Sequence, residues 1–120
     1  ASMLRELKVS AAEKILVDAL SKKKYAAIKT DIFSFLWNSG CQPGERIFDI
    51  VSSGLSGDYM LAFESLTLID TLDGPFEETD LIEAQLVAKE FLVRNQKDDR
   101  FELVAKLLEK LREMDSRVVD

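Results

Sequence analysis

Four carboxylates, Glu77, Glu78, Asp80 and Glu83, crowd one short segment of the chain. Paired acids at that spacing can hold Ca²⁺ or Mg²⁺, or divide general-acid and general-base roles. No Asp-x-Asp-x-Asp-Gly loop accompanies them. They open a helical segment, where acids are expected for the positive end of the helix dipole alone. A structural role is therefore the expectation. Glu64 is a different case, because it interrupts an otherwise apolar run from Tyr59 to Leu68. A carboxylate in such a run lies on a solvent edge or is half-buried with a partner. Lys29, at the loosely equivalent place in the preceding helical unit, is the partner expected. Cys41 follows Gly40 in a loop, with Arg46 nearby in sequence. A thiol nucleophile needs a base, and the chain has no histidine.

That missing histidine removes imidazole metal sites, Ser–His and Cys–His pairs and the usual pH switch near neutrality. Glycine-rich phosphate cradles are absent too. No catalytic residue, metal ligand or cofactor is expected. With 16 Lys+Arg against 22 Asp+Glu the net charge is −6. That is the wrong sign for a counterion-displacing nucleic-acid surface, so no nucleic-acid partner is expected. The one basic run, Lys22–Lys24, reads as a solvated turn. A single cysteine cannot make an internal disulfide, which fits a reducing, cytoplasmic setting. No apolar run approaches the roughly 20 residues of a membrane helix, and no secretory leader is read at the start. Residues 1–3 read as an expression or processing remnant, with one domain over 4–117.

Apolar residues recur at helical spacing nearly throughout, so the fold expected is all-α with about six helices. The first is expected over 10–21, with an irregular or helical lead-in, opened by a Ser10-x-x-Glu13 capping box. The second covers 23–38 and ends at Gly40, where a left-handed cap is wanted. The third spans 43–53, with Pro43 in its first turn. The fourth, 58–72, has Asp58 as N-cap and apolar residues around most of its circumference. It is expected to be wrapped by other helices on nearly all sides. Asp73-Gly74-Pro75 then breaks the chain. The fifth helix follows from 75 or 77 to 94, and the sixth covers 98–117 with one apolar and one charged face.

Pairs of these helices repeat at about 32–34 residues. Glu13-Lys14-Ile15-Leu16 returns as Glu45-Arg46-Ile47-Phe48, and Tyr25 returns loosely as Tyr59. Such a period marks helical hairpins that bury their faces by stacking. The expected architecture is an α–α superhelix of three antiparallel hairpins, the alternative being a compact six-helix bundle. Phe35-Leu36-Trp37-Asn38-Ser39-Gly40, the run Gly57 to Glu64, and Leu68-Ile69-Asp70 together resemble HEAT/armadillo-type helical repeats. More narrowly, they are similar to small HEAT-like proteins of Bacteroidetes bacteria. The resemblance implies a non-catalytic scaffold for protein–protein interaction, binding another protein or itself. Trp37, Glu64, Thr67 and Thr71 are the candidate partner-binding surface. A small-molecule- or metal-binding domain using carboxylates in a groove is the alternative.

Overall fold

A computed structural model describes residues 2–40, 46–73 and 76–116. Cys41, Pro43, Gly74 and Pro75, to which the sequence assigned a thiol, a first turn and a break, lie outside the described residues. Six α-helices carry the fold, and no strand occurs among the described residues. They are α1 (Ser2–Leu20), α2 (Lys29–Asn38), α3 (Ile47–Gly54), α4 (Tyr59–Asp70), α5 (Glu78–Arg94) and α6 (Phe101–Ser116).

The helices stack as three hairpins in two rows. The odd row runs α1, α3, α5 and the even row α2, α4, α6. Each helix packs on its hairpin mate and on its neighbours in the same row: α1 on α2 and α3, α4 on α2, α3 and α6, α5 on α3 and α6. The molecule measures 50 × 39 × 19 Å, and its thinnest dimension is that of two helix layers. The core lies between the rows. Phe33 and Leu36 from α2, Ile47 and Ile50 from α3, Leu68 and Ile69 from α4, Leu81 from α5 and Leu107 and Leu111 from α6 are fully buried there.

The repeat seen in the sequence is visible as hydrogen bonds along the odd row. Ser53 Oγ donates to the Leu20 carbonyl at 3.0 Å, and the Ile47 amide donates to Asp80 at 2.8 Å, each pair 33 residues apart. Gly40 has φ +70°, the left-handed cap expected after α2. Asp58 caps α4 by accepting the Leu61 amide at 3.0 Å. Gly54 permits a close approach of α3 to α4. A Cβ built there would stand 2.2 Å from Ser65 Oγ and 2.5 Å from Ser65 Cβ.

Several expectations need correction. The first helix is continuous from Ser2, so Ser10 does not open it. Residues 23–38 are two elements, a 3-10 segment (Lys23–Ile28) and then α2. The sixth helix opens at Phe101, because residues 98–100 form a turn closed by the Asp98 carbonyl accepting the Phe101 amide at 3.1 Å. Most important, α4 is not wrapped on nearly all sides. Its Leu61, Ala62, Ser65, Leu68 and Ile69 face inward, whereas Tyr59, Met60 and Phe63 are exposed. A two-row stack leaves every middle helix one free face, and α4 has only a row neighbour on each side and a mate behind.

Candidate functional site

Trp37 Nε1 donates to Glu64 Oε2 at 2.6 Å, joining α2 to α4. One end of the same seam is closed by Lys29 Nζ donating to Ser56 Oγ at 3.2 Å. Both links span 27 residues, so α2 and α4 lie side by side and run in the same direction. Lys29 is therefore not the partner of Glu64; the indole is, because the seam's register brings Trp37 to Glu64 and leaves Lys29 more than two turns away. Both Trp37 and Glu64 are half-buried. A charge-assisted bond in that setting fixes the indole plane and the carboxylate together.

Thr67 and Thr71 continue from Glu64 along α4 at i+3 and i+7. Their hydroxyls donate back to the Phe63 carbonyl at 2.9 Å and the Leu68 carbonyl at 2.7 Å, so these side chains lie against their own helix. Of the four residues chosen from the sequence, Trp37 and Glu64 are in direct contact across the seam, while Thr67 and Thr71 follow on α4 with their hydroxyls turned to their own backbone.

The sequence counted Tyr59 and Phe63 among the apolar residues to be wrapped by other helices and gave Met60 no place, and here it missed the larger part of the surface. Tyr59, Met60 and Phe63 are 44%, 52% and 46% exposed. A signal for them existed. Met60, Phe63, Thr67 and Asp70 fall on one helical stripe, and a stripe that ends in Thr67 and Asp70 faces water. The result is an apolar and aromatic patch on α4, beside the Trp37–Glu64 bond. On its other side an open depression of about 440 Å³ lies between α4 and α6, lined by Leu66, Asp70, Lys106, Glu109, Lys110 and Glu113. Lys110 Nζ approaches Asp70 at 3.4 Å across it.

The acids at 77–83 have another task. Asp80 takes the amides of Ile47 at 2.8 Å and Phe48 at 3.1 Å, so it caps α3 rather than serving only its own helix. Burial pushes its carboxyl above the ordinary value, against the lowering effect of those two amides. Among the described residues no three His, Cys, Asp or Glu side chains gather to hold a metal ion.

Two arginines tie neighbouring elements together. Arg46 bridges Asp18 of α1 at 2.8 Å and Asp49 of α3 at 2.6 Å. Arg100 grips Asp98 through Nε and Nη2, both at 2.9 Å, and donates to the carbonyls of Leu55 and Gly57 in the α3–α4 turn. Its guanidinium also lies 4.8 Å from the Phe91 ring centre. The Arg100 side chain and its backbone amide together hold the Asp98 carboxyl well below the usual carboxylate range.

An indole, a phenol, a thioether and a phenyl ring on rigid helices, bordered by a carboxylate and hydroxyls, have the composition of an interface centre. No helix among the described residues is long and apolar enough to cross a membrane. Comparison with known proteins returns no significant match to any family model, curated protein or solved structure.

Proposed function

We propose that the chain is a non-catalytic, HEAT-like helical-repeat scaffold that binds another protein through the outer face of α2 and α4. The observation that carries this reading is the exposure of Tyr59, Met60 and Phe63 beside the Trp37–Glu64 bond. Three large side chains held in water on one rigid helix cost solvation free energy that partner burial would recover. The two-row hairpin stack and its 33-residue spacing support the repeat-scaffold reading. In this reading the work is done in the cytoplasm, without cofactor, nucleic acid or membrane.

The test is quantitative capture of partners from a cell extract on four immobilised forms of the chain. Wild type and Glu102→Lys, which changes an exposed residue of α6, should retain the same partner. Phe63→Asp and Met60→Asp should lose it. Retention unchanged by both α4 variants contradicts the reading.

A further inference from the structure

α5 carries a second exposed apolar stripe, on the side of the molecule opposite its buried residues. Leu81, Ala84, Gln85 and Ala88 face the core. Ile82, Leu86 and Val93 point away from it and are 44%, 57% and 73% exposed. They sit at i, i+4 and i+11, so they form one line along the helix, with Lys89 filling the i+7 place.

The charge around that line is split by halves. The first half of α5 exposes Glu78 and Glu83 and no cation, its third acid, Asp80, being taken by the cap of α3. The second half holds Lys89 and Arg94 against one acid, Glu90, which is already paired to Arg94 at 3.0 Å. A helix of this kind complements its own reverse. Turned antiparallel onto a second copy, each acidic half faces a basic half. The apolar line is also nearly symmetric about its middle. The same turn sets Ile82 of each copy against Val93 of the other, and Leu86 against the methylene stem of Lys89.

We propose that α5 is a homodimer contact, in which two copies of this chain pair antiparallel along Ile82, Leu86, Lys89 and Val93. The contact is isologous and closes on itself, so assembly stops at two. It is separate from the α2–α4 face, and each copy in the dimer keeps that face free. The scaffold is thereby bivalent, able to hold two partners or to bind a repeated partner with added avidity.

Sedimentation equilibrium on the full chain tests this. Between about 1 µM and about 1 mM the mass should rise from 13.5 kDa toward twice that value, as for a contact of modest area. Leu86→Asp and Val93→Asp should each weaken the dimer by about tenfold or more, with helical circular dichroism unchanged. Lys89→Glu should weaken it as well, by setting acid against acid. Phe63→Asp should leave it intact. A chain that stays at 13.5 kDa throughout overturns the proposal. So does growth past the dimer, a dimer indifferent to the α5 variants, or one that Phe63→Asp dissolves. Failure here leaves the α2–α4 reading standing, since that reading is judged by Phe63 and Met60.

Discussion

Asp80 Oδ2 accepts the backbone N–H of Ile47 at 2.8 Å, from a different helix 33 residues upstream. Its second oxygen accepts the Phe48 amide. The residue in the cap position of α3, Arg46, makes no side-chain cap bond of its own. The third hairpin thus supplies the cap that the second one lacks. Asp80→Ala should destabilise the protein by about 1–2 kcal/mol in urea unfolding, and Asp80→Asn by less, because one acceptor oxygen survives.

The two perturbed carboxyls act on pH stability with opposite sign. Asp98 is depressed in the folded state, so its contribution is present above its unfolded value of about 4 and is lost as pH falls below it. Asp98→Asn should flatten the loss of stability between about pH 5 and about pH 2. Asp80 is raised, so its contribution is full below the unfolded value and is lost as pH rises through the folded one. The deficit of Asp80→Asn relative to wild type should be larger near about pH 3 than near about pH 7. Urea midpoints across that range check both signs.

Gly54 should prove the least replaceable glycine described. An added Cβ meets Ser65 within 2.2–2.5 Å, on a helix packed face to face. At Gly57 it meets Leu61 Cδ2 at 2.6 Å, the far end of a side chain that can turn away. Gly54→Ala should cost about 1–3 kcal/mol by thermal or urea unfolding, and Gly57→Ala clearly less. Equal costs would show that α3 and α4 do not approach as closely as described.

The two faces of α4 should separate in the same measurement. Leu68→Ala removes a fully buried side chain and should cost about 2–5 kcal/mol. Phe63→Ala, on the exposed face, should cost under about 1 kcal/mol. Leu66, half-buried beside the α4–α6 depression, should fall between them.

These contrasts show what was legible in the sequence. Local chemistry was: Asp58 before an apolar run, Gly40 after one, and the single apolar stripe of α6 each name a helix end or a buried face without reference to the rest of the chain. The 32–34-residue period also survives as the spacing of Leu20, Ser53, Ile47 and Asp80. What failed depended on which neighbours exist. Tyr59 and Phe63 carry large side chains that suit a core as Leu61 and Leu68 do, and only the two-row stack decides which of them meets another helix. Likewise Lys29 and Trp37 both lie on the α4 side of α2, and the register of the seam, invisible in composition, gives Glu64 to Trp37. The break between the 3-10 segment and α2 went unseen because residues 23–38 contain neither glycine nor proline.

Trp37 is the only tryptophan in the chain, so its indole N–H gives a single, unambiguous resonance in a nitrogen-correlated spectrum. Glu64→Gln should move that resonance, because it weakens the bond the indole donates. The decisive measurement is to follow it during titration with the partner captured by wild type. The binding account predicts that the signal shifts or broadens to saturation, together with the amides of α2 and α4. An indole signal that stays fixed while the partner binds would contradict it.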